Sequence, residues 1–82
     1  MEDGDGVVLA FILGIVEPGK ETDVVTVLRD KEKISDVHVV YGAYDIHITL
    51  EIEDLGELAR VNQEIRNIEG VTATKTLIAT IY

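Results

Sequence analysis

Two extended runs separated by one short break constrain the fold of this chain more than any other stretch. Residues 44–53 alternate apolar and polar side chains over ten positions, the period-two pattern of a strand with two unlike faces. Residues 37–41 are rich in the β-branched and aromatic side chains that favour strands. Because Gly42-Ala43 is the only short interruption between the two runs, the sequence predicts a β-hairpin with a two-residue loop.

The predicted loop fixes which residues of the hairpin face each other. The facing pairs are Tyr41 and Tyr44, Val40 and Asp45, Val39 and Ile46, and His38 and His47. Gly42 supplies the positive φ that a tight turn often needs, and its missing side chain leaves the backbone accessible. The turn therefore displays bare amide groups, a phenol and a carboxylate at one end of a sheet. Of all features of the sequence, this turn most resembles a binding site.

The residues before the hairpin predict a strand and a helix. Residues 7–16 form a continuous apolar run that the turn sequence at 17–19 stops, consistent with a strand buried on both faces. Residues 20–33 then carry an apolar stripe at helical spacing.

The residues after the hairpin predict a second helix and a last strand. Asp54 is expected to cap this helix, with Glu57 as its capping-box partner and Gly70 as the C-terminal cap. Its expected buried side consists of Leu55, Leu58, Ala59, Ile65 and Ile68. Residues 71–82, rich in threonine and β-branched side chains, are expected to form the final strand.

An internal repeat links these elements into one fold. A shift of 34 positions lays Ile12 on Ile46 and Val24 on Leu58. Two βαβ halves related in this way give the order β-α-β-β-α-β of the ferredoxin-like α+β fold. Right-handed crossovers then place both helices on one face of a four-stranded antiparallel sheet.

The first strand gives the sheet a second apolar face. The repeat places alternate residues of this strand toward the helices, namely Ala10, Ile12, Gly14 and Val16. The intervening residues Leu9, Phe11, Leu13 and Ile15 then lie on the face without helices. Soluble monomers rarely expose an apolar patch of several hundred Å². We therefore expect a second copy to pack on it, sheet to sheet, so that these four residues form a homodimer interface.

Composition and charge narrow the classes of function. Eighty-two residues make one domain at 7–82, preceded by a frayed, disordered acidic lead at 1–6. The absence of cysteine excludes disulfides and thiolate metal sites, and it fits a reducing cytoplasm. A net charge of -9 argues against unaided nucleic-acid binding. No apolar run is long enough to span a membrane, and the acidic lead argues against a signal peptide.

The hairpin resembles the Gly-x-aromatic-Asp signature of the RAM domain. This domain is the effector-binding half of the leucine-responsive/asparagine regulator (Lrp/AsnC) transcription factors. The resemblance spans residues 7–82 and also includes Glu-Pro-Gly-Lys at 17–20, Ile-Glu-Gly-Val at 68–71 and Thr-Lys-Thr-Leu-Ile at 74–78. The chain departs from the family pattern in one respect. Only six residues precede the first strand, so no N-terminal helix-turn-helix is expected and the sequence is interpreted as a stand-alone RAM protein.

The resemblance implies a function for the turn. Family members pair through their sheets, often assemble into rings of dimers, and bind free amino acids between subunits. Carried onto this sequence, the implied ligand-binding residues are Gly42, Tyr44, Asp45, Thr74 and Thr76. The expected function is an amino-acid effector-binding and oligomerisation module that regulates amino-acid metabolism or transcription. It would act through a partner such as a full-length Lrp/AsnC regulator, without a cofactor and without catalysis.

Other interpretations of the same residues stay open. Gly42 is explained by the turn alone, and Thr74 and Thr76 are ordinary strand residues. His38 and His47, facing each other near Asp45, have the composition of a metal site, although neutral interface histidines are commoner and no metal is expected. Either histidine is also a candidate base in a small dimeric ferredoxin-like enzyme, such as a cofactor-free oxygenase. A third alternative is an oligomerisation module without a ligand.

Overall fold

The computed structural model of this protein describes residues 8–79 and confirms the predicted order of elements. The elements are β1 (Val8–Val16), α1 (Glu21–Arg29), β2 (Ile34–Val39), β3 (Ile46–Ile52), α2 (Leu55–Arg66) and β4 (Val71–Ile78). The acidic lead at 1–6 and residues 80–82 of the last predicted strand lie outside the described residues.

The four strands form one antiparallel sheet in the order β2-β3-β1-β4, as expected for a ferredoxin-like fold. On β1 the side chains predicted to face the helices are buried, with Ala10 and Ile12 fully so. They belong to a core that also contains Val16, Val24, Val25, Leu28, Val37, Ile46, Ile48, Leu50, Ile52, Leu58, Val61 and Ile65. The alternation along β1 therefore gives the sheet a helix-covered face and an open face, as predicted.

The hairpin keeps the predicted register but has a longer loop than predicted. His38 lies opposite His47 and Val39 lies opposite Ile46. The backbone N–H of Val40 still donates to the carbonyl of Asp45, at 2.9 Å. Beyond this bond the strands separate, so the expected pair of Tyr41 and Tyr44 is not part of the ladder.

The first helix is shorter than the predicted 20–33. It ends at Arg29, and the backbone N–H of Lys31 donates to the carbonyl of Leu28 in the turn that follows. β2 then begins at Ile34 rather than at residue 37, so the strand also contains the polar residues Ser35 and Asp36. The Ser35 hydroxyl, for example, donates to the Thr49 carbonyl at 3.2 Å.

The second helix begins as predicted and ends earlier. The Asp54 carboxylate accepts the Glu57 N–H at 2.8 Å, which confirms the N-cap. The Glu57 carboxylate accepts from the N–H of Glu53 instead of completing a capping box with Asp54. The helix ends at Arg66, and Gly70 (φ 103°) belongs to the turn that leads into β4.

The buried side of α2 also differs from the prediction. Leu55 is 61% exposed and Ala59 is exposed, whereas Val61 is buried with Leu58 and Ile65. The contact stripe therefore follows positions three or four residues apart from 58 onward.

Among residues 8–79, no helix is long and apolar enough to cross a membrane.

Candidate ligand site at the β2–β3 turn

Asp45 ties the turn between β2 and β3 to the central strand β1. Its backbone N–H donates to the Gly14 carbonyl at 2.9 Å. Its side-chain oxygen Oδ2 accepts the N–H of Val16 at 2.8 Å. One carboxylate oxygen is thus held by the backbone where β1 ends, and within residues 8–79 no hydrogen bond occupies Oδ1, which can accept from another group.

The turn itself exposes main chain and one aromatic ring. Gly42 has a φ of 134°, a conformation that side chains rarely adopt, and a Cβ built there meets no heavy atom within 4 Å. The Tyr41 side chain is 98% exposed, and Tyr44 is half-buried beside Asp45. The structure therefore brings together Gly42, Tyr44 and Asp45, three of the five predicted ligand-binding residues.

The two predicted threonines lie on the other side of β1. Thr74 is opposite Gly14 and Thr76 is opposite Ile12, so both face the helices. Their hydroxyls lie 3.3 and 3.4 Å from the side-chain oxygen of Asn62 on α2. Two strand spacings, about 10 Å, separate Thr74 from the start of β3. Within one copy, the threonines and the turn do not line the same space.

A groove runs from the turn along α1. It has a volume of about 500 Å³, within the usual range for ligand sites. Its lining comprises Glu21, Thr22, Val25, Thr26 and Arg29 from α1 and Val39, Val40, Tyr41 and Asp45 from the hairpin. Sequence reasoning missed the α1 wall, although 21, 25 and 29 are spaced as one helix face. It also missed Asn62, a polar residue next to the buried stripe of α2.

The two histidines lie opposite each other on the open face, and each has a different neighbour. The Nε2 atom of His38 lies 2.9 Å from a carboxylate oxygen of Asp36. The His47 ring packs against Phe11, with centroids 5.4 Å apart. Within residues 8–79 there is no group of three or more side chains arranged to hold a metal ion.

Comparison with known proteins gives a family for the sequence. A family model for the Lrp/AsnC ligand binding domain matches residues 9–80. An uncharacterized HTH-type transcriptional regulator of Pyrococcus horikoshii, PH0140, is 34% identical over 74 residues, which are 89% of this chain and 47% of that regulator. The chain spans about half the length of the curated relatives it matches.

Solved structures agree with this assignment. The crystal structure of FFRP-DM1 is 34% identical, with a TM-score of 0.83 over 89% of this chain and 99% of that chain. The L-Met complex of transcriptional regulator NMB0573 from Neisseria meningitidis has a TM-score of 0.81 over 90% of this chain and 50% of that chain. At 16% identity, the latter shows the fold alone. With a family model that matches nearly its whole length, this chain belongs to the Lrp/AsnC ligand-binding (RAM) domain family.

Proposed function

We propose that this domain is a regulatory module that binds a free amino acid at the turn formed by residues 42–45. The observation that carries the proposal is the match to a ligand binding domain across residues 9–80. A protein of the same fold is described as a complex with L-Met, which indicates the class of ligand.

The chemistry of the turn suits a zwitterion. The exposed amides around Gly42 can donate to a carboxylate, while the Oδ1 atom of Asp45 can accept from an ammonium group in a charge-assisted bond. Because Oδ2 already accepts the N–H of Val16, the carboxylate is held in place before the ligand arrives. This preorganisation lowers the entropic cost of binding.

The position of the threonines supports a site between subunits. β1 separates Thr74 and Thr76 from Asp45 within one copy. An amino acid that contacts both sets would therefore take the turn from one copy and the threonines from another. In the single copy, the hydroxyls of Thr74 and Thr76 bond to the Asn62 side chain. In the assembled site, these hydroxyls would bond to the ligand instead.

The regulatory role requires assembly. A homodimer through the open face and further ring-like assembly would place several turns within reach of neighbouring copies. Since the chain carries a net charge of -9, its influence on transcription would pass through a partner such as a full-length Lrp/AsnC regulator rather than through direct contact with DNA.

Asp45→Asn provides the test of the ligand site. A thermal-shift screen of the twenty amino acids first identifies the best ligand, because a ligand bound only to the folded state raises stability. The asparagine keeps an oxygen for the Val16 N–H but removes the charge that pairs with the ammonium group. We expect the fold to persist, and we expect isothermal titration to show a binding free energy that is weaker by about 2–5 kcal/mol.

Two further variants sharpen this test. Gly42→Val should weaken both ligand binding and assembly, because a β-branched residue resists the positive φ and crowds the amides. His47→Ala is the control: with an intact dimer verified by light scattering, it should leave affinity nearly unchanged, because His47 packs against Phe11 on the open face and not at the turn. Equal affinity of Asp45→Asn and the wild type would remove Asp45 from the site. A screen in which none of the twenty amino acids raises the melting temperature would contradict the proposed function.

A further inference from the structure

The edge strand β2 carries backbone groups that the sheet leaves unused. Within residues 8–79, β2 has a neighbouring strand on one side only. The bond from the Val40 N–H to the Asp45 carbonyl flanks the pair Val39–Ile46. Residues in such a pair do not exchange hydrogen bonds, so the N–H and C=O of Val39 point away from β3, toward the free edge.

The side chain of Val39 lies on the helix-covered side of the sheet but is not covered. It is opposite the fully buried Ile46, which fixes its face, yet it is 51% exposed. Val37, two residues earlier on the same face, is only 3% exposed. The nine-residue helix α1 therefore covers the start of β2 and leaves the end of the strand open to the groove.

The groove has opposite charges at its two ends. Glu21 and Asp45 line it near the turn. Arg29, about 12 Å further along α1, lines both this groove and a smaller depression at the start of β2. α1 thus runs antiparallel to β2, with carboxylates near the end of the strand and a guanidinium near its beginning.

We propose that the groove between α1 and the edge of β2 binds an extended peptide segment of a partner protein. The segment adds antiparallel to β2 as a fifth strand and bonds to the N–H and C=O of Val39. Strand addition of this kind gives affinity through the main chain and specificity through alternate side chains. A free amino acid has too short a main chain to satisfy such an edge, which favours a peptide over a small molecule here.

The direction of the strand determines the side chains that the groove accepts. An antiparallel segment enters at the turn and ends near Arg29. Its residue opposite Val39 faces the apolar wall of Val25 and Val39 and should be aliphatic. The residue two positions before it lies near Glu21 and should be basic, whereas the residue two positions after it lies near Arg29 and should be acidic.

The probe is a fluorescein-labelled peptide, Lys-Thr-Val-Thr-Glu, and its matched control is Glu-Thr-Val-Thr-Lys, which has the same composition. Fluorescence polarisation with the full chain should show saturable binding of the first peptide. The reversed peptide should bind about tenfold more weakly, because both charge pairs become repulsive. Equal affinity for the two peptides, or no saturable binding of either at millimolar concentration, would overturn the proposal.

Variants of the protein separate main-chain from side-chain recognition. Val39→Pro removes the outward N–H without removing a bond to β3 and should weaken the first peptide about tenfold. Val39→Thr has nearly the same shape, keeps the N–H and should bind within twofold of the wild type. Arg29→Ala should weaken binding two- to fivefold, as expected for an exposed charge pair. Circular dichroism confirms that each variant is folded.

Two results with these variants would also count against the peptide. Unchanged affinity in Val39→Pro would show that the edge of β2 makes no main-chain bonds. The groove would be assigned to a small molecule if neither peptide binds while a free amino acid does, and if Arg29→Ala weakens that amino-acid binding. The amino-acid site at the turn is judged separately, through Asp45→Asn.

Discussion

At the scale of single residues, Glu57 connects three parts of the chain. Its carboxylate accepts the N–H of Glu53 at 2.8 Å and lies 3.1 Å from the Nζ atom of Lys33. The N–H of Glu53, followed by Lys33, lowers the pKa of Glu57 below its ordinary value of 4.5. In return, the hydrogen bond and charge of Glu57 raise the pKa of Lys33 above 10.5. This side chain thus links the start of α2 to the loop before β2.

The lowered pKa predicts a pH-dependent role for Glu57. A carboxylate with a lowered pKa stabilises the folded state above its ordinary value of 4.5, and this contribution is lost as pH falls through the folded-state pKa. Glu57→Gln should therefore melt at a lower temperature than the wild type at neutral pH, and the difference should shrink in acid. Thermal melts followed by circular dichroism, from neutral pH into acid, measure this difference in melting temperature.

Glu69→Gln is the matched control for the same series. The Glu69 side chain is 92% exposed and lies 3.9 Å from Lys20, at the limit of an ion pair. The melting temperature of the Glu69→Gln variant should equal that of the wild type at every pH. A Glu57→Gln deficit that stays constant into acid would show that shape, rather than charge, explains the role of Glu57.

At the scale of elements, Gly14 on β1 leaves space for the side chain of Ile46 on β3. A Cβ at this position would lie 2.9 Å from both Cγ1 and Cδ1 of Ile46. Gly14→Ala should therefore destabilise the fold by about 1–3 kcal/mol through overpacking, even though alanine suits a strand better than glycine. Urea unfolding measures this loss.

A double-mutant cycle identifies Ile46 as the cause. Ile46→Val removes Cδ1 and should relieve part of the clash, so Gly14→Ala should cost less in that background than in the wild type. Strictly additive losses in free energy of unfolding would mean that the strain at Gly14 comes from elsewhere.

The sequence predicts strands better than it predicts the ends of helices. Period-two alternation identified β3, and the position of Gly42 fixed the hairpin register that places His38 opposite His47. The end of α1 was missed because Lys31, Glu32 and Lys33, which follow it closely, are good helix formers. Only packing against the sheet shows where the chain must turn back toward β2.

The candidate site was predictable only where it is local in sequence. The turn residues are neighbours in the chain, so Gly42, Tyr44 and Asp45 could be grouped without a structure. The bond from the Val16 N–H to Asp45 joins residues 29 apart, and the bonds of Thr74 and Thr76 to Asn62 cross from strand to helix. No sequence period encodes contacts of this kind.

At the scale of the whole molecule, the open face of the sheet predicts a dimer. Leu9, Phe11 and Leu13 lie on it half-buried, and Leu77, which is opposite Phe11, is 43% exposed. Phe11→Glu should convert a dimer into a folded monomer, because a buried unpaired charge costs several kcal/mol. Light scattering at micromolar concentration measures the change in mass.

A control on the opposite side of the molecule distinguishes this interface from a general loss of solubility. Val27 lies on α1 and is 44% exposed, so Val27→Glu should leave the dimer intact. A well-folded wild-type monomer across the micromolar range would contradict the predicted interface. The internal repeat was sufficient to predict which side chains of β1 lie on this face, whereas the arrangement of the two copies depends on contacts between chains.

The two bonds that join Asp45 to β1 have a thermodynamic consequence. The Gly14 carbonyl and the Val16 N–H flank Ile15, whose side chain lies on the face proposed to pair with a second copy. A ligand bound to Asp45 is therefore joined through two backbone bonds to the strand that carries the interface. Coupling between two binding equilibria is reciprocal, so a ligand that strengthens the dimer binds the dimer more tightly by the same factor. The apparent affinity for an amino acid then depends on protein concentration, and the abundance of the protein becomes part of the signal it reads.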